Sequence, residues 1–256
     1  MVSLIKSANR NLLSTKVLVG ASLLTGISII LTRVFSIMIP LAGLPALRFG
    51  FGAVPIIISG IIYGPIAGGL TGIVADLLGV MLNPQGGAFF PGFTLSAALR
   101  GVIPGLIYMI LRSKKINFNI FNSLFILILT SGVMNLLYQR EVLSIKNSWV
   151  YLYDERISLI YILLFILVVL SFMILPIVIT KKEKLSNSNY SLDKILFTVS
   201  FPYIIISLGL NTLWLSIMFN KGFFIFLPGR ILAGLVIIPM HAIIIYTLSK
   251  FFKYAK

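Results

Sequence analysis

The chain has 256 residues, 59% of them hydrophobic and only 11% charged, with 21 Lys and Arg against six Asp and Glu. A mean hydropathy of +1.07 excludes a water-soluble globular protein and indicates an integral protein of the lipid bilayer. The absence of cysteine excludes disulfides and thiolate chemistry, and a single histidine excludes a multi-histidine metal site. The net charge of +15 falls in short clusters between apolar runs, which is the pattern of membrane topology rather than of a nucleic-acid-binding face.

A hydrocarbon core about 30 Å thick takes roughly 20 residues of helix. Eight spans are predicted, near residues 17–39, 46–64, 66–83, 93–112, 119–138, 157–180, 195–219 and 228–250. The first run is long and lacks a small-x-small exit site, so it is read as a true span rather than a cleaved leader. The second and third are short and joined only by Tyr63, Gly64 and Pro65. Polar connectors fall at 113–118, 139–156 and 181–192. With the amino terminus inside, eight crossings put both termini and 13 of the 21 basic residues in the cytoplasm.

The basic residues left outside are the informative ones. Arg140, Lys146 and Arg156 share an external loop with Glu141, Asp154 and Glu155, and Lys221 sits in the last external turn. Arg33, Arg48, Arg100 and Arg230 lie at or near the outer ends of the first, second, fourth and eighth spans, with Asp76 the one acid in the same half of the membrane. An arginine near the bilayer centre costs about 2.5 to 3.5 kcal/mol on insertion scales. A cluster with one acid therefore calls for another anion, which a substrate can supply. The alternative is that each arginine snorkels separately to the headgroups.

The neighbouring sequence suits a flat anionic ligand. "NPQGGAFFPGFT" at 83–94 is too rich in glycine and proline for continuous helix, and irregular backbone at membrane depth is tolerated where it lines a cavity. Phe93 and Arg100 are seven residues apart and share a helix face, although Phe89, Phe90 and Phe93 also fit an interfacial belt. Gly64, Gly68 and Gly72 repeat at four-residue spacing with Asp76 next in the series, a close-packing stripe that turns Asp76 inward as either a site acid or an arginine's ion-pair partner. Asn211 and Trp214, three apart near the outer end of the seventh span, could read and stack on a heterocycle. Belt tryptophan is the other reading. His241, deep in the last span without a companion ligand, reads as a packed core histidine.

"RFGFGAVPIIISGIIYGPIAGGLTGIVADLLG" at 48–79, "FFPGFTLSAALRG" at 89–101, and "LNTLWLSIMF" with "FFIFLPGRILAGLVIIP" between 210 and 239 resemble the folate-specific substrate-binding subunit, or S component, of energy-coupling factor (ECF) vitamin transporters. The resemblance covers residues 17–112 and 195–250. It implies an all-α integral membrane protein with a six-helix S-component-like bundle; residues 115–192 depart from that pattern as two additional predicted helices inserted between its fourth and fifth. It also implies a bacterial cell-membrane transporter subunit, not an enzyme, that binds folate at its outer face and works with a membrane coupling subunit and two ATPase subunits. No cofactor and no nucleic acid are implied. The chain carries no GxxxxGK[ST] motif, in agreement with energy arriving from a partner.

Carried onto this sequence, the resemblance implies a substrate site at Arg33, Arg48, Phe93, Arg100, Asn211, Trp214 and Arg230, with Asp76 as a site or structural acid. Family members dock through a small-xxx-small surface on the first span, here Ala21 and Thr25, where the threonine departs from the usual alanine. An S component for another vitamin or a modified folate is the nearest alternative. A membrane-embedded transferase or protease is the more distant one, since one acid and one remote histidine make no acid/base pair.

Overall fold

The computed structural model of the chain describes residues 14–41, 43–84, 89–112, 118–139, 143–146, 149–152, 155–156, 158–160, scattered positions between 163 and 178, and 190–252. The predicted span at 157–180 and the lysine clusters at 114–115 and 181–184 lie largely or wholly outside the described residues.

Helix α1 (Thr15–Arg33) opens on Ser14, whose hydroxyl accepts the Val17 N–H at 3.3 Å, a side-chain cap on one of the first-turn donors. The predicted first span runs on to residue 39, but the helix stops at Arg33. Pro40 and Pro45 cannot donate to a helix, and Gly43 turns the chain at φ +76°. The segment instead forms an antiparallel hairpin of β1 (Ile37–Leu41) and β2 (Leu44–Phe49), with a register irregularity between Ile39 and Pro40. The predicted second span at 46–64 is corrected accordingly. Only α2 (Ala53–Tyr63) is helical there, and its 11 residues rise roughly 17 Å, less than the thickness of the hydrocarbon core. Strand edges are not tolerated against lipid. The hairpin lies over the bundle and buries Ala46 and Leu47.

Gly64, at φ +98°, makes the turn into α3 (Pro65–Leu82), which starts on a proline. The predicted glycine stripe therefore begins at Gly68, and Gly64 is a corner. A Cβ on Gly72 would collide with the Ala97 carbonyl of α4 (Pro91–Leu111), and one on Gly68 would lie 2.6 Å from Gly60 Cα. A Cβ on Gly101 would in turn strike the Gly68 backbone. Helices α2, α3 and α4 thus meet backbone to backbone, the close packing that holds helices together where lipid and side chains are equally apolar.

Helix α5 (Asn119–Gln139) is followed by a small antiparallel sheet, β3 (Leu143–Lys146), β4 (Trp149–Leu152) and β5 (Glu155–Arg156). The start of α5 is pinned by Asp193, whose carboxylate accepts the Phe118 N–H at 3.0 Å, while Asn122 Nδ2 donates to the Asp193 carbonyl at 2.9 Å. Asp193 belongs to α6 (Leu192–Pro202), which continues through a π-helical segment (Tyr203–Leu210) into α7 (Asn211–Phe219). Pro202 supplies no N–H to the α-helical ladder, and the wider π turns begin at the next residue. Helix α8 (Phe223–Ser249) closes the fold and starts five residues before the predicted eighth span.

Among the described residues six helices are long and apolar enough to cross a membrane: α1, α3, α4, α5, the continuous Leu192–Phe219 unit and α8. The chain is a multi-pass helical membrane protein, with the two small sheets as departures from an all-α reading. One of the six, α5, lies in the segment predicted as an inserted pair.

The glycine contacts set a stability order. Gly101→Val forces a side chain into the Gly68 backbone and is expected to cost about 1 to 3 kcal/mol or more. Gly26→Ala, where nothing lies within 4 Å, should leave the melting temperature in detergent unchanged or slightly raised. Equal melting of the two variants would contradict the packing described.

Candidate functional site

A cavity of about 240 Å3 lies between the hairpin, the ends of α1 and α3, the first half of α4, the π segment and α8. Arg33, Arg48, Asp76, Phe93, Arg100, Asn211 and Arg230 all line it, so four elements distant in sequence bring their guanidiniums to one space.

Arg33 occupies the last turn of α1, and its Nη1 donates to the Asn83 carbonyl at 2.9 Å. That carbonyl ends α3, so the cation answers the negative ends of two helices at once. Its Nη2 is 3.9 Å from Asp76 Oδ1, and Asp76 Oδ2 accepts from Thr94 Oγ1 at 2.7 Å. Asp76 is therefore an ion-pair partner that also lines the cavity. Gly79 leaves the space for this arrangement, since a Cβ there would lie 2.6 Å from Arg33 Nε.

Arg230 is held differently. Its Nη1 donates to the Ser207 carbonyl at 3.0 Å and its Nη2 to the Ala46 carbonyl at 2.7 Å. One guanidinium thereby ties the π segment to β2. Tyr203 returns a hydrogen bond from its hydroxyl to the Arg230 carbonyl at 2.9 Å. Both partners sit on the segment that Pro202 unwinds, so the π turns have a structural use: they present Ser207 to Arg230 and carry Asn211 to the cavity wall.

Arg48 sits half-buried on β2. Burial, then the positive charges of Arg33 and Arg100, push its guanidinium down to about 10, with Asp76 pulling the other way. It is still a cation at neutral pH. Arg100, nine residues into α4, is half-buried at the cavity wall and makes no hydrogen bond or ion pair among the described residues. Among the described residues the cavity wall thus carries four guanidiniums against one carboxylate, and that carboxylate is already engaged.

The aromatic side differs from the sequence expectation. Phe93 and Phe90 line the cavity and pack edge to face, centroids 5.9 Å apart. Trp214 does not line it. Its Nε1 donates to Ser96 Oγ at 3.1 Å, and its ring lies beside Phe90, centroids 5.8 Å apart, and over Gly92. The indole backs the aromatic wall instead of forming it. His241, expected as a core residue, is buried and also lines the cavity. Tyr203 and Ser207 were missed. Their sequence signal was Pro202 within an apolar run, which marks altered helix geometry but not its direction. Ala21 is half-buried on α1, and Thr25 is turned inward, donating to the Ala21 carbonyl at 2.8 Å. Thr25 therefore does not stand on the exposed face of α1.

The family described as "ECF-type riboflavin transporter, S component" matches residues 12–183, two thirds of the chain. The chain belongs to this family. Like the curated folate transporter FolT of Clostridium novyi (strain NT), with which it shares 24% identity over 230 residues, 90% of this chain and 86% of that one, this S component is a transporter component and not an enzyme. The solved structure of FolT bound with folic acid superimposes with a TM-score of 0.54 at 19% identity, covering 93% of this chain and 98% of that one, which shows a shared fold. The bounds of the family match take in residues 115–183, most of the segment predicted as an inserted pair, and two extra inserted helices are not supported.

Arg230 and Arg100 should separate in the ligand-free protein. Arg230→Lys cannot span Ser207 and Ala46 together and is expected to lose about 1 to 3 kcal/mol, a clear fall in melting temperature. Arg100→Ala removes an unmatched cation and should leave the melting temperature unchanged or raised. The reverse order would contradict the roles assigned.

Proposed function

We propose that this S component captures folate at the outer face of a bacterial cell membrane and delivers it inward with an ATP-driven module. The observation that carries the reading is Arg100, a half-buried guanidinium on the cavity wall with no ionic or hydrogen-bond partner among the described residues. Folate brings two carboxylates and a flat pterin, which answer an excess of cations and the wall of Phe90 and Phe93. The folate-named relatives support this choice. The family's riboflavin transporter description favours riboflavin as a second reading. Riboflavin carries no carboxylate and would leave the arginine charges uncompensated.

In this reading Arg33, Arg48 and Arg100 receive the glutamate carboxylates, Phe93 stacks on a ring, Asn211 reads the heterocycle, and Arg230 shapes the wall they share. Trp214 acts by supporting Phe90. Asp76 orients Arg33. A nanomolar dissociation constant corresponds to about 12 kcal/mol, which a few charge-assisted hydrogen bonds at roughly 1.5 to 3 kcal/mol each and ring stacking can approach.

The partners are a membrane coupling subunit and two ATPase subunits. With Thr25 buried, the small-residue face that α1 exposes is Ser22 and Gly26, one turn apart and open to a neighbouring helix. Both termini lie in the cytoplasm in this reading.

Calorimetric titration of the purified chain in detergent tests the reading. Folate should bind one to one and riboflavin should not, and Arg100→Ala should weaken folate binding 10-fold or more with the melting temperature retained. Riboflavin binding without folate binding would transfer the assignment to the second reading. Unchanged folate affinity in the variant would remove Arg100 from the site.

A further inference from the structure

His241 is the single histidine of the chain, three helical turns beyond Arg230 on α8, and it lines the same cavity. Its Nε2 lies 3.0 Å from the Gly50 carbonyl oxygen. A carbonyl only accepts, so Nε2 carries the hydrogen, and in the neutral ring Nδ1 is then a bare acceptor. No donor reaches Nδ1 among the described residues. Phe51 packs beside the ring, centroids 6.3 Å apart, so both its tautomer and its plane are set before a ligand arrives.

The value of an acceptor here follows from what else lines the cavity. Guanidiniums only donate, and there are four of them. Asp76 is the wall's carboxylate, and Arg33 and Thr94 already engage it. Asn211 Oδ1 is buried without a hydrogen-bond partner. A heterocycle that leaves water with its N–H groups unmet loses affinity, and sites that meet such groups discriminate strongly against analogues lacking them.

We propose that His241 Nδ1 is a specificity-determining acceptor, taking a hydrogen bond from an N–H of the aminopyrimidinone ring of the bound pterin. The assignment rests on the folate reading above. It separates the work of the site: arginines take the anionic end of the ligand, while His241 and Asn211 read the hydrogen-bonding edge of the ring.

Because the chain has one histidine, labelling with 15N-imidazole histidine reports His241 alone. The full-length protein in detergent should show a protonated Nε2 and an unprotonated Nδ1, and saturation with folate should move the Nδ1 signal upfield, the direction of a lone pair entering a hydrogen bond. An Nδ1 signal that stays in place while calorimetry on the same sample records folate binding would overturn the proposal, as would a hydrogen on Nδ1 in the free protein. Absence of any folate binding would show in the calorimetry and overturn the folate reading itself. A second measurement uses His241→Phe, which keeps a flat ring beside Phe51 and removes both nitrogens. Its folate dissociation constant should rise 10-fold or more, with partial recovery in His241→Gln, which retains a donor and an acceptor. Folate affinity unchanged in His241→Phe would overturn the proposal.

Discussion

Positive charge gathered inside a membrane protein without a matching negative charge is the constraint on which this structure turns. Arg33, Arg48, Arg100 and Arg230 come from α1, β2, α4 and α8 and face one cavity with Asp76. Desolvating each guanidinium is unfavourable, and their mutual repulsion adds to it. The fold offsets this unevenly. Arg33 has a helix end and a carboxylate, and Arg230 has two backbone carbonyls. Arg100 has neither. In the proposed reading an anionic ligand supplies the missing negative charge, so the repulsion among the guanidiniums becomes affinity for that ligand.

Holding that arrangement requires a rigid frame, which the chain builds from its smallest residues and its irregular backbone. The glycine contacts among α2, α3 and α4 bring backbones close enough that a methyl group would clash, and they fix the helix that carries Phe93 and Arg100. On the opposite wall, the π turns after Pro202 expose the Ser207 carbonyl that Arg230 takes. The hairpin is locked to that wall through Ala46. The β1–β2 hairpin and the π turns both border the cavity, as expected where non-helical backbone at membrane depth must be sheltered by protein.

The sequence made the charge pattern legible because lysine and arginine are so unfavourable in lipid that their positions carry information. The seven predicted substrate residues include six that line the cavity, along with Asp76. Trp214 was misplaced because spacing along a helix gives a shared face but not which neighbour covers it. The hairpin was hidden because Ile37 to Phe49 is apolar enough to read as the end of one span and the start of the next, and only Pro40, Gly43 and Pro45 hinted otherwise. Thr25 shows the same limit: residue size is visible in sequence, while the direction a helix face takes depends on its packing partners. His241 was legible as buried, but a tautomer set by the Gly50 carbonyl needs three-dimensional structure.

The most direct test of the central claim is an experimental structure of this chain with folate bound. The account predicts the glutamate carboxylates within hydrogen-bond distance of guanidiniums of the cavity, Arg100 among them, and the pterin between the Phe90 and Phe93 wall and Asn211. Folate lodged elsewhere, or seated in the cavity with its carboxylates directed away from every arginine, would contradict it.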